Sequence, residues 1–120
     1  MINIGVLGST NGTDLQAVID AINNKIINAS IKVVISNRKN AFILKRAESH
    51  SIKARYISHK NKTRNELDQE VTNHLKENDV ELILLIGFMR ILSNEFCHRW
   101  QDKILNAVSY THLTLPTTTP

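Results

Sequence analysis

The chain has one cysteine, Cys97, so no disulfide framework can form within it and a reducing compartment is the natural setting. No apolar stretch approaches the roughly 20 residues that a membrane-spanning helix needs. The start, MINIGVLGS, lacks a basic leader and enters strand-like sequence at once, so the expectation is a cytoplasmic protein with no membrane partner. Aromatic residues make up 5%, and no basic stretch is interleaved with them, which argues against nucleic acid as a partner. His50, His59, His74 and His98 show neither H-E-x-x-H nor paired Cys/His spacing; they read as surface or helix-face residues, and no metal is expected. Also missing are the dinucleotide fingerprint G-x-G-x-x-G, the phosphate-loop signature G-K-[ST] and any internal repeat.

What is present fits one modest soluble domain. A chain of 120 residues can bury a real core, and 42% hydrophobic with 22% charged residues is ordinary for a globular protein. The net charge of +4 and pI near 9.4 come from scattered lysines and arginines, of which Lys60, Lys62 and Arg64 come nearest to a cluster. Such a bias suits small anions such as phosphates.

Residues 2–7 (INIGVL) form an apolar run, followed by the small polar loop GSTNGT and by Leu15, Val18, Ile19, Ile22 and Ile26 at helical spacing. The run 31–36 precedes the helical stretch AFILKRAESH, and 53–58 precedes a third helix. There Thr63 and Glu66 make a capping box, and Leu67, Val71 and Leu75 repeat on one face. Asp68 and Glu70 of that helix read as ordinary solvated charges. VELILLI at 80–86 is apolar nearly throughout, as a central parallel strand covered on both faces should be. Ser93 is placed to cap a short helix carrying Phe96 and Trp100, and residues 103–106 form a fifth strand. This alternation predicts an α/β fold: an open, doubly wound, mostly parallel sheet whose pattern runs to about the fifth strand. Residues 107–120 break the composition sharply, with no charged side chain, five threonines and both prolines of the chain.

Gly8 to Thr13 lies between the first strand and the first helix, where backbone N–H groups and the positive end of the helix dipole face one point. The next strand ends in Asn37 and Arg38 and not in an acidic residue that would hold a ribose, so a single phosphate fits better than a dinucleotide. The plainer reading is that a strand-to-helix turn uses glycine for its φ angle. Ligands of open α/β sheets bind outside the carboxyl ends of the strands, and the 8–13 loop, the segment 87–92 and Asn106 all fall there. Gly87 permits a tight exit from its strand, and FMRIL then offers backbone groups between bulky apolar side chains to a flat, partly polar ring. Taken alone, Met89, Ile91 and Leu92 read as core residues, Arg90 as a solvated cation and Cys97 as a packed small apolar side chain.

The stretches GSTNGTDLQAVIDA, VISNRKNAFILKRA and LIGFMRILSNEF, followed by ILN, resemble the phosphoribosylglycinamide formyltransferase family over residues 1–106, GFMRIL being the most specific element. The resemblance implies a Rossmann-like fold and transfer of a formyl group from 10-formyltetrahydrofolate, the co-substrate, to the amine of glycinamide ribonucleotide in purine biosynthesis, without metal or nicotinamide. It further implies that Gly12, Thr13 and Asp14 bind the ribonucleotide phosphate through their backbone. Folate contacts would come from Arg64, Met89, Arg90, Ile91, Leu92 and Asn106, and Asn106 would be the catalytic donor to the tetrahedral oxyanion. The family has S-N where this chain has Thr13-Asp14, which puts the side-chain share of phosphate binding in question.

After Asn106 the resemblance ends. The family continues N-x-H-P-S-L-L-P, its histidine held by a downstream aspartate, whereas Val108 stands at the histidine's place and His112 is displaced by four residues. The expectations are an N-terminal formyltransferase portion over 1–106 and a foreign or disordered tail over 107–120. The isolated chain would be inactive, and its last strand unpaired and prone to aggregate. The alternative is a non-catalytic half-domain that only holds a nucleotide or folate. An NADP-dependent oxidoreductase using Arg38 for the 2′-phosphate is disfavoured by the missing G-x-G-x-x-G. The sequence leaves the oligomeric state unknown.

Overall fold

Apolar runs and amphipathic stretches alternate along the chain and fold as strands and helices in turn. The computed structural model describes residues 1–9, 12–87, 93–107 and 117–118. In chain order they form β1 (Ile2–Gly8), α1 (Thr13–Asn23), β2 (Ala29–Ser36), α2 (Phe42–Ser49), β3 (Ala54–Tyr56), α3 (Arg64–Glu77), β4 (Leu82–Ile86), α4 (Asn94–Arg99), β5 (Ile104–Ala107) and β6 (Thr117–Thr118). The sheet order is β3-β2-β1-β4-β5-β6, with every pairing parallel except β5 with β6.

Successive strand residues point to opposite faces of a sheet, and here both faces are covered. Val6, Val34, Leu84 and Ile86 pack with Leu15 and Ile19 of α1 and Ile43 and Leu44 of α2. Their neighbours Leu7, Val33, Ile35 and Ile83 pack with Leu67, Val71 and Leu75 of α3 and with Phe96 and Trp100 at α4. Helices α1 and α2 therefore cover one face while α3 and α4 cover the other. That double burial explains the nearly unbroken apolar sequence of the central strands.

The capping box forms as its residues prescribe. Thr63 Oγ1 accepts from the Glu66 N–H at 3.1 Å, and Glu66 Oε1 accepts from the Thr63 N–H at 2.8 Å. The Thr63 backbone N–H, then the Thr63 hydroxyl, holds the Glu66 carboxyl below its ordinary value of 4.5. A depressed carboxylate stabilises the fold above that ordinary value and loses its contribution as pH falls through the lowered one. Glu66→Ala is thus expected to lower the melting temperature at pH 7, and the gap from the parent should narrow below pH 4.5. Thermal unfolding at several pH values checks this. Thr63→Ala should cost about 1 kcal/mol at neutral pH.

Three expectations are corrected. The helical spacing extends to Ile26, but α1 ends at Asn23; Lys25 takes a left-handed φ of 60° and Ile26 is left 77% exposed. Strand β5 is not unpaired on its outer side, because Leu105 and Asn106 pair antiparallel with Thr118 and Thr117. Asp68 is not a solvated charge: it is buried on α3. Glu70 on the same helix is half-buried and pairs with Lys62 at 2.6 Å.

Candidate functional site

The chain runs from β1 outward to β2 and β3 across one face, then returns beneath the other face to β4 and β5. Strands β1 and β4 are therefore the adjacent pair from which connections depart in opposite directions, the place where open α/β sheets leave a crevice. Register makes the rim level: Gly8 pairs with Ile86, and Ile86 with Ala107. The carboxyl ends of β1, β4 and β5 thus gather at one edge, with the start of α1 beside them. Asn106 lies there in β5, paired with Leu85.

Gly12 occupies the N-cap of α1 at φ 82°, a left-handed conformation, with no side chain capping the helix. A Cβ at Gly12 would lie 2.9 Å from Ile43 Cγ1, and one at Gly8 only 2.5 Å from Ile43 Cδ1 and 2.8 Å from the Ile86 carbonyl oxygen. Gly8 and Gly12 both lie against Ile43 of α2, and glycine is required at both for that approach and at Gly12 for its φ as well. The turn that demands glycine also brings the first N–H groups of α1 to the rim. Gly12 is buried, Asp14 half-buried and Thr13 exposed. The outgoing end of β1 is anchored by Ser9, whose buried Oγ donates to Asn37 Oδ1 at 2.7 Å.

At the end of β4, Gly87 takes φ 57°. Met89, Arg90, Ile91 and Leu92 lie outside the described residues. Next among the described residues is Ser93, whose Oγ accepts from the Phe96 N–H at 3.0 Å to cap α4 and whose own N–H donates to Asp68 Oδ2 at 2.9 Å, both buried. Arg64, the exposed first residue of α3, lines a cleft of about 500 Å³ together with Thr63, Asn65, Ser93, Asn94 and Glu95. Arg64 thereby shares a cleft with Ser93, the residue that caps α4. The basic cluster is dispersed: Lys62 pairs with Glu70, Arg64 lines this cleft and Lys60 lines a separate cavity.

Sequence reasoning missed Asp68, although the signal was there. Counting along α3, it shares a face with Val71, Thr72 and Leu75, all buried. Its carboxylate also bears on Cys97, which is half-buried: desolvation first, and the Asp68 charge second, push the thiol pKa above its usual value. Asp68→Ala strands the buried Ser93 N–H and should cost about 1–3 kcal/mol. In Asp68→Asn, Cys97 should react faster with a disulfide reagent at pH 8 than in the parent, which a colorimetric thiol assay measures. Among the described residues no group of three or more His, Cys, Asp or Glu is placed to hold a metal, and no helix is long and apolar enough to cross a membrane.

A doubly wound sheet with an uncapped helix start, a glycine-permitted strand exit and an asparagine-bearing strand at one rim defines an α/β domain of the class that leaves a crevice at the carboxyl ends of its strands. The Formyl transferase family model matches residues 2–109, and the chain belongs to that family. It is 42% identical over 106 residues to the trifunctional purine biosynthetic protein adenosine-3 of Gallus gallus, covering 88% of this chain and 11% of that protein. To the phosphoribosylglycinamide formyltransferase of Haemophilus influenzae it is 41% identical over 107 residues, covering 88% of this chain and 50% of the relative. The crystal structure of glycinamide ribonucleotide transformylase 1 from Symbiobacterium toebii superposes with a TM-score of 0.84 at 34% identity, over 88% of this chain and 50% of that one. The chain spans about half the length of the single-function relatives it matches and about a tenth of the trifunctional ones.

Proposed function

We propose that this chain supplies the substrate-binding half of a phosphoribosylglycinamide formyltransferase, which moves a formyl group from 10-formyltetrahydrofolate to the amine of glycinamide ribonucleotide. The observation that carries the reading is the level rim: Gly8, Ile86 and Ala107 in one register, with Gly12 opening α1 beside them. The N–H groups at Gly12, Thr13 and Asp14 take the ribonucleotide phosphate, favoured by the helix dipole. Residues 89–92 and Arg64 hold the folate, the cation answering its carboxylates. The substrate amine attacks the formyl carbon, and the amide of Asn106 donates to the oxygen on which negative charge develops.

Val108 stands where the resemblance puts a proton-handling histidine, which favours a second reading in which residues 1–106 bind both substrates without turning them over. One experiment separates the two. Residues 1–106 are joined to the half of the Haemophilus influenzae relative that this chain does not cover, and formyl transfer to glycinamide ribonucleotide is followed by absorbance of the folate product. Turnover supports the formyltransferase. A folded chimera that binds a folate analogue and the ribonucleotide but transfers nothing supports the binding half-domain, and one that binds neither overturns both.

A further inference from the structure

A second cavity, of about 520 Å³, opens at the carboxyl ends of β2 and β3 and meets the rim at Ser9 and Asn37. Its ten lining residues include Arg38, Lys39 and Lys60 and no carboxylate. The ion pair among the described residues is Lys62 with Glu70, so none of those three cations is neutralised there. The sequence explains the geometry. Strand β2 ends in a turn carrying Arg38 and Lys39, and the segment after β3 returns His59 and Lys60 to the same mouth. Helix α2 begins at this cavity with Ala41 as its N-cap and no side-chain cap, so its positive end adds to the same field. His59 Nδ1 is buried without a hydrogen-bond partner among the described residues, in a setting where buried polar atoms are nearly always partnered.

We propose that this cavity is a separate anion site for a flexible ligand bearing two or more negative groups, an oligophosphate or an oligocarboxylate. Cations of one sign gathered in a cleft repel one another and focus a positive potential. The three come from two connecting segments, so a chain of anions can satisfy Arg38, Lys39 and Lys60 in turn through charge-assisted hydrogen bonds. The half-exposed faces of Phe42 and Tyr56 at the mouth leave room for the ligand's linking atoms. The site does not depend on formyl transfer and stands or falls apart from it.

The test is isothermal titration of the 120-residue chain, in phosphate-free buffer of low ionic strength, with tripolyphosphate and separately with a tetraglutamate peptide. Arg38, Lys60 and the remote Lys32 are all exposed, so their glutamine variants keep the fold. The expected result is saturable binding of at least one ligand, weakened about tenfold by Arg38→Gln and again by Lys60→Gln, with Lys32→Gln within about twofold of the parent. The stronger of the two ligands identifies the chemistry as phosphate or carboxylate. No saturable binding of either, or equal weakening by Lys32→Gln, overturns the proposal, the latter because net charge alone would then account for the binding.

Discussion

Valine in place of Gly12 is expected to abolish binding of a phosphate monoester and to destabilise the chain by about 3 kcal/mol. Two costs combine. A β-branched residue at φ 82° sits in the left-handed region, which costs about 1–2 kcal/mol for an ordinary side chain. The added Cβ would press on Ile43, a fully buried residue of α2, at 2.9 Å from Cγ1 and 3.0 Å from Cα. The clash with the Ile43 main chain is the more severe, because backbone cannot swing aside as a side chain can; overpacking of this kind costs about 1–3 kcal/mol. For a domain of this size the sum lowers the melting temperature by about 10 °C. The two effects separate in Gly12→Ala, which keeps the φ penalty and the close approach but drops the branched methyls. It should retain part of the stability while phosphate affinity falls with the displaced start of α1. Calorimetric unfolding and titration with ribose 5-phosphate measure both. A valine variant that melts with the parent would remove the structural reason for glycine here.

The parts of the fold legible in the sequence are those whose cause is local or periodic. The Thr63-x-x-Glu66 box needs only four consecutive residues, and both of its hydrogen bonds form. VELILLI announces burial on both faces, and Ile83 and Leu84 indeed belong to opposite cores. The rim follows from a rule of topology: once the elements alternate, the turns after β1, β4 and β5 must share an edge. What the sequence hides depends on residues far apart along the chain. Asp68 is explained by Ser93, 25 positions away, and Ser9 by Asn37, 28 positions away. Polarity suggests a solvated Asp68, and only its phase relative to Val71, Thr72 and Leu75 reveals the buried face. Ile26 shows the converse failure. Its spacing extends the α1 stripe, yet Lys25 turns left-handed at φ 60° and the Ile26 N–H turns back to the Ala21 carbonyl at 2.8 Å, which closes the helix. The cationic cavity is half visible: Arg38 and Lys60 each stand out in the sequence, but 22 residues separate them, and only the adjacency of β2 and β3 makes them one surface.

In the chimera of residues 1–106 with the missing half of the Haemophilus influenzae relative, Asn106→Ala is expected to lower kcat by about 10²- to 10³-fold while leaving KM for both substrates within about threefold. The asymmetry follows from when the charge exists. A formyl oxygen is nearly neutral in the bound donor and becomes an oxyanion only as the amine adds, so a donor aimed at it acts on the transition state far more than on either substrate. Strand β5 is suited to carry such a group, because its parallel pairing with β4 fixes Asn106 beside Leu85, one residue short of the rim, on a regular element. Asn106→Asp replaces the amide donor by a carboxylate that repels the developing charge, and should be at least as damaging despite its similar size. Steady-state kinetics on the three chimeras read out the difference. A loss confined to KM would make residue 106 a binding contact, and unchanged kinetics in the alanine variant would mean that the oxyanion finds its donor elsewhere on the rim.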